Sequence, residues 1–270
     1  MIKGVDILNR FYFTRIAKLV PEIASYKKGT HLQVSDIGET RGCPTLRKYY
    51  ALLKSSESER DYLRVNLTKK GTHFFRGDDW EYFNAACLST FAGKSVKAWC
   101  AGCSSGEEAY SLVMSLLDYV PLEDIDVLAT DYNDELLAKC EKGDYGNLHY
   151  GEVPEKYQHY LEKGEKRFVV KQELRDVVHT ALLNLITDEY PEPFDIIVCR
   201  NVIKFFSFDV IPQVKRRLVA SLKPGGFLFV STDGNHSGRE LIDEPEAMGV
   251  RQMGGRGIYQ KLPIEDTPTE

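Results

Sequence analysis

The sequence has no apolar run of the length that a membrane span needs, and its opening residues, MIKGVDILNRFYF, lack the uninterrupted apolar core of a secretion signal. A cytoplasmic protein that does not insert into membranes is expected. An excess of positive charge is missing too: 35 Lys and Arg against 40 Asp and Glu leave a net charge of −5, which offers no broad basic field to nucleic acid. Cysteine is sparse. Apart from the close pair Cys100 and Cys103, the thiols (Cys43, Cys87, Cys140, Cys199) are spread singly through apolar or strand-like contexts, so reduced and mostly buried side chains are expected. Internal repeats and low-complexity tracts are absent. What remains is a chain of 270 residues with 43% hydrophobic content, enough for one large domain or two unequal ones without disulfide staples.

Residues 1–70 read as a small helical domain, with apolar residues at helical spacing in NRFYFTRIAKLV and LRKYYALLKS and breaks at Gly29, Gly38, Gly42 and Pro44. Residues 71–92 hold an aromatic cluster and then a helix, and connect this region to the next. From residue 95 strand-like and helical runs alternate, which predicts an α/β fold with a mainly parallel sheet. Strands are expected at 96–101, 125–130, 177–183, 194–199 and 227–230, with a hairpin of 250–253 and 257–261 at the sheet edge. The helix after Gly106 carries Ala109, Leu112, Val113 and Leu116 on one face. A later helix shows Val210, Val214, Leu218 and Leu222 at i+4 spacing and should stop at the turn LKPGG. Residues 143–172 form an insertion, and 265–270 a frayed tail.

The stretch KAWCAGCSSGEEAYS, residues 97–111, allows three chemistries. It contains G-x-S-x-G, and Ser104 is followed by Asp195 or Asp233 and then His236, the chain order of an α/β-hydrolase. That fold needs core strands upstream, where this chain is helical and polar. It contains C-x-x-C, but no second pair completes a four-ligand metal site. It is also a glycine-containing turn from strand to helix. Ligands of open α/β sheets bind beyond the carboxyl ends of the strands. The residues there are Gly102, Gly106 and Glu107 after the first strand, Asp131 after the second, Asn184 after the third and Asn201 after the fourth. An acid after the second strand suits ribose hydroxyls, and an asparagine suits an adenine edge. Neither G-x-G-x-x-G nor a P-loop lysine is present, so a pyrophosphate cofactor is disfavoured. Acids at two strand ends suit a nucleoside carrying amino and sulfonium charge, as S-adenosylmethionine does.

Several words of the chain, in order, carry a family resemblance: THFFR (72–76), AGCSSGEEAYS (101–111), ATDYNDELLAKCEKGDY (129–145), Asn184-Leu185, FDIIVCRNV (194–202) and LKPGGFLFVS (222–231). Together they resemble the CheR-type protein-glutamate O-methyltransferases of chemotaxis receptors. The resemblance implies a class I, Rossmann-like methyltransferase domain over residues 71–264, a helical domain before it and a small antiparallel β-subdomain at 143–172. It implies S-adenosylmethionine as cofactor and S-adenosylhomocysteine as product. It also implies cofactor contacts at Thr72, Arg76, Glu107, Asp131, Asn184, Leu185, Asn201 and Val202, beside Gly102 from the turn. Arg76 would position the acceptor or shape the transfer site, and no metal is implied. The partner would be an acidic helical segment of a chemoreceptor or other signalling protein, met by a monomer.

The chain departs from the family pattern in four places. Phe205 replaces the tyrosine near the transferring methyl, and Lys70 stands where the family has asparagine. GTHLQVSDIGETRG, residues 29–42, replaces an arginine-rich helix, and LEKGEKRFVV lacks the glycines and arginine of members that grip a receptor tail. A different methyl acceptor, or a non-catalytic S-adenosylmethionine-sensing module, therefore stands beside receptor methylation at this point.

Overall fold

The structure is a computed structural model that describes residues 2–20, 30–67, 72–191, 193–206, 209–230, 241–254 and 257–263. Its backbone groups into two compact units, Met1–Lys70 with Lys204–Pro212, and Gly71–Ile203 with Gln213–Glu270.

The first unit holds helices α1 (Ile2–Leu19), α2 (Thr30–Thr40), α3 (Leu46–Ser55) and α4 (Glu57–Leu67). Leu46, Tyr49 and Leu53 recur along one face of α3 and join Ile16, Val20, Val34 and Leu63 in a core. Thr45 caps α3, its hydroxyl accepting the Lys48 N–H at 3.3 Å. Gly38 does not break the chain as its composition suggests; α2 runs through it. A Cβ there would lie 2.9 Å from the Tyr49 ring, so close approach of α3 outweighs the roughly 1 kcal/mol that glycine costs a helix. The helix ends at Gly42, whose φ is +73°, and Gly29 lies outside the described residues. Arg41 donates to both oxygens of the buried Glu59 at 3.0–3.1 Å, tying the end of α2 to α4.

Among its described residues the second unit holds ten strands: β1 (Val96–Ala101), β2 (Ile125–Asp131), β3 (Asp144–Gly146), β4 (Leu161–Lys163), β5 (Arg167–Val170), β6 (Val178–Leu182), β7 (Phe194–Cys199), β8 (Leu222–Val230), β9 (Val250–Gln252) and β10 (Ile258–Lys261). Seven form one sheet in the order β6-β2-β1-β7-β8-β10-β9. The strands from β6 to β8 run parallel, and β10 is antiparallel to both β8 and β9. The expected edge hairpin is thus present. β3, β5 and β4 make a separate antiparallel sheet within the 143–172 insertion.

Two local expectations are corrected. LKPGG is not a turn before a strand but the first part of β8. Gly225 has φ +79°, the register shifts between Phe194 and Ile196, and a Cβ at Gly226 would come 2.8 Å from the Asp195 carbonyl. A bulge absorbs the glycines. Of the predicted i+4 row, only Val214 and Leu218 belong to the helix at Ile211–Ala220; Val210 precedes it and Leu222 opens β8. The helix at Glu107–Leu116 is covered on more than the face that its periodicity marks. Every residue in it is buried, because Ser111 and Ser115 on its polar side accept hydrogen bonds from the 72–91 segment: Phe75 N–H to Ser111 Oγ at 2.9 Å and the Trp80 indole N–H to Ser115 Oγ at 3.0 Å. That segment winds as Asp79–Tyr82, a π turn at Phe83–Cys87 and a 3₁₀ turn at Leu88–Phe91. Among the described residues no helix is long and apolar enough to cross a membrane.

Candidate active site

Parallel pairing of β6, β2, β1 and β7 brings their carboxyl ends to one edge of the sheet. The loop after β1 is tied to β2 by the Gly102 and Cys103 N–H groups, which donate to the Thr130 carbonyl at 2.7 and 2.8 Å. The end of β6 is tied to β2 by Leu183 N–H to the Asp131 carbonyl at 3.0 Å. Gly102 has φ +82°, and a Cβ on it would lie 2.5 Å from Val202 Cγ2, so the loops after β1 and β7 meet here without room for a side chain. Gly102→Ala is expected to lower the unfolding free energy by about 1–3 kcal/mol through strain and overpacking, read from the urea midpoint at unchanged slope.

Among the described residues three non-glycines have left-handed backbone: Phe75 (φ 46°), Ser104 (φ 53°) and Asn201 (φ 59°). Each falls on a segment that the sequence marks for the site. Backbone strain collected this way is a signature of functional loops.

Two acids are buried at this edge. Asp131 is 8% exposed, and its carboxylate accepts the Ser104 N–H at 2.9 Å and the Asn133 N–H at 3.0 Å. Burial pushes its carboxyl above the ordinary aspartate value, opposed by N–H donors from Ser104, Asn133 and Tyr132. It is not a helix cap; Asn133 caps the helix at Asp134–Lys142. Glu107 is 3% exposed, and its oxygens accept the Ser105 hydroxyl at 2.7 and 3.0 Å. Burial raises its carboxyl too, more than the Ser105 hydrogen bond lowers it. Neither acid has a Lys, Arg or His nitrogen at ion-pair distance among the described residues.

At the end of β6, Asn184 Oδ1 accepts the Ile186 N–H at 2.9 Å, and its own backbone N–H donates to Asp188 Oδ2 at 2.8 Å. Leu185 is buried, and its carbonyl accepts from Tyr190 Oη at 2.7 Å. Thr72 and Arg76 are half-buried on the segment fastened by Phe75, whose ring stacks on Tyr157 at 5.2 Å. Phe205 has described backbone in a 3₁₀ turn, but its side chain lies outside the described residues.

Arg200, just before Asn201, was missed as a site residue. Its side chain is 1% exposed, Nη1 lies 3.2 Å from Glu108 Oε2, and the guanidinium covers the Phe229 and Trp80 rings at 4.6 and 5.6 Å. It joins the helix at Glu107–Leu116, the sheet and the 72–91 segment immediately behind the Asn201 turn. A charged residue closing the apolar run FDIIVC was the signal that could have found it.

Of the competing chemistries of the turn, the Ser104–Asp195 pairing and the thiol chemistry of Cys100 and Cys103 do not assemble. Asp195 sits at the opposite, amino-terminal end of the sheet, bonded to Lys97 N–H and to Lys223 Nζ at 2.9 and 2.8 Å, far from Ser104. Asp233 and His236 lie outside the described residues. Cys100 and Cys103 are buried free thiols. Burial raises the first, and a hydrogen bond with Cys140 followed by burial raises the second, so neither is a ready thiolate.

The site suits S-adenosylmethionine on one observation: two buried carboxylates, Asp131 and Glu107, at the carboxyl edge of the sheet with no Lys, Arg or His nitrogen at ion-pair distance among the described residues. Comparison with known proteins agrees. Residues 70–239 match the family model described as CheR methyltransferase, SAM binding domain. A chemotaxis protein methyltransferase of Listeria monocytogenes is 30% identical over 252 residues, covering 90% of this chain and 93% of its own. One of Escherichia coli is 31% identical over 85% of this chain and 86% of its own. Chemotaxis protein methyltransferase 1 of Pseudomonas aeruginosa is 36% identical over 51% of this chain and 54% of its own. With residues 70–239, more than half of the chain, inside the matched span and relatives of 30% and 31% identity covered over 93% and 86% of their own lengths, the chain belongs to the CheR family of S-adenosylmethionine-dependent methyltransferases.

Proposed function

We propose that this enzyme methylates glutamate side chains of chemoreceptors, giving glutamate methyl esters. The observation that carries the reading is the pair of buried acids Glu107 and Asp131 beyond the ends of neighbouring strands, with no Lys, Arg or His nitrogen at ion-pair distance among the described residues. They repel a phosphate and attract a nucleoside with amino and sulfonium charge. In this reading Asp131 accepts ribose hydroxyls on the lone pairs that Ser104 and Asn133 leave, and Glu107 meets the positive end. The Asn184 amide and Leu185 hold adenine. Gly102, Asn201 and Val202 shape the floor, with Thr72 and Arg76 closing over it.

The bound cofactor supplies a methyl group on positively charged sulfur. A glutamate acceptor has an ordinary pKa of about 4.3 and is ionised at neutral pH, so no general base is required. Its carboxylate would be the nucleophile for that methyl, with S-adenosylhomocysteine as the product released. The chain contributes alignment and exclusion of water. Arg76 orients the acceptor through the forked donors that match a carboxylate.

Purified enzyme, methyl-labelled cofactor and receptor-bearing membranes test this. Base-labile label on the receptor is expected; label only on another class of protein overturns it. One observation favours a different protein acceptor as the second reading: α2 carries Asp36 and Glu39 and no Lys or Arg, unlike the arginine-rich helix that the resemblance implies at that place.

Asp131→Ala is expected to weaken cofactor binding by about 1.5–3 kcal/mol, the range for hydrogen bonds to a charged group. Calorimetric titration with S-adenosylmethionine reads it, and an unchanged dissociation constant moves the ribose elsewhere.

A further inference from the structure

Outside the acids already described, one cluster joins metal-ligating groups from two distant parts of the chain. His73 Nδ1 lies 2.8 Å from Glu152 Oε1, and His149 Nδ1 lies 3.1 and 3.2 Å from the two Glu152 oxygens. The three ligand atoms all fall within 4.8 Å of one another. We infer that His73, His149 and Glu152 bind a divalent metal ion of the zinc class.

The donor set and the spacing carry this. Two imidazoles and one carboxylate suit zinc, whose bonds of about 2.0–2.1 Å in a tetrahedron separate neighbouring ligand atoms by about 3.3 Å; the His149–Glu152 pair stands at 3.1 Å, the His73–Glu152 pair at 2.8 Å, and all three atoms lie within 4.8 Å of one another. His149 and Glu152 stand on one 3₁₀ turn, Asn147–Glu152, where residues i and i+3 eclipse and so point the same way. Glu152 Oε2 also accepts the Phe74 N–H at 3.0 Å, which fixes the carboxylate and leaves Oε1 toward the histidines. The side chains are 50%, 30% and 27% exposed in chain order, which leaves room for water as a fourth ligand. Both imidazoles ligate through Nδ1 as neutral rings, their protons carried on Nε2, and no redox step is involved.

Such an ion would staple the segment carrying Thr72 and Arg76 to the small β insertion. It is a positioning device and takes no part in methyl transfer. Its binding is measured without methyl donor or acceptor, so its failure leaves the proposed function untouched.

The test uses the full chain, free of any histidine tag and stripped of metal, titrated with Zn²⁺ in competition with a chromophoric chelator. One equivalent is expected, with affinity falling at least tenfold in His73→Ala and in His149→Ala and the equivalent lost in the double variant. The Co²⁺ form of the unmodified chain is expected to show d–d bands with no thiolate-to-cobalt charge transfer, a readout that does not depend on the variants folding. Failure to bind an equivalent, wild-type affinity in folded His73→Ala/His149→Ala, or a thiolate band each overturns the site.

Discussion

Arg200→Met is expected to lower the unfolding free energy by about 3–5 kcal/mol, the range for removing one partner of a buried ion pair. The Arg200 side chain is 1% exposed and that of Glu108 10%, so water cannot replace what the guanidinium supplies. Methionine preserves much of the volume against Trp80 and Phe229. What disappears is the positive charge 3.2 Å from the Glu108 carboxylate, which stays buried. Nε and Nη2 of Arg200 are themselves buried without hydrogen-bond partners, so the native pair already carries a desolvation cost. A double variant, Arg200→Met with Glu108→Leu, should therefore recover most of the loss, since apolar replacement of both members is often neutral. Urea unfolding at constant slope reads both variants. A loss below 1 kcal/mol for the single variant would show that the aromatic faces, not the ion pair, do the joining. Because Arg200 precedes the strained Asn201, cofactor affinity should fall in the single variant even where it remains folded.

How much of this the sequence disclosed follows from which forces are local. β1 and β7 were legible to the residue, since buried parallel strands leave short apolar runs bounded by polar turns. Gly38 and the LKPGG bulge were misread because their roles depend on Tyr49 and Asp195, distant in sequence. The all-round burial of Glu107–Leu116 depends on the 72–91 segment laid over Ser111 and Ser115, which periodicity does not reveal. Residues following each strand could be named because parallel topology sends all those ends to one edge. Their bonding could not: Asp131 serves loop backbone as well as any ligand, and Asn184 spends its oxygen on its own turn. The histidine cluster left only a local trace, His149 three residues before Glu152, with His73 elsewhere in the chain.

Glu107→Gln is expected to weaken S-adenosylmethionine binding by about 3–5 kcal/mol, because it leaves the ligand's positive charge in a buried site without a counter-charge. Stability should move the other way. Burial holds the folded carboxyl above its ordinary value of 4.5, so the native state prefers the protonated form. The stabilisation from that proton is fully present below the ordinary value and is lost as pH rises through the raised one. Above the raised value the wild-type chain bears an ionised buried acid, and there the glutamine variant, free of that cost, should be as stable or more so. The same linkage predicts that cofactor affinity of the wild type falls as pH drops through the raised Glu107 value. In the variant this dependence should flatten without vanishing, since Asp131 is raised by burial as well. S-adenosylhomocysteine separates the two cationic ends of the ligand, because it keeps the amino group and lacks the sulfonium. Equal losses for both ligands would put Glu107 against the amino group, and a loss confined to S-adenosylmethionine would put it against sulfur. Unchanged affinity for both would remove Glu107 from the site and leave its burial to be explained by the Ser105 hydrogen bond alone.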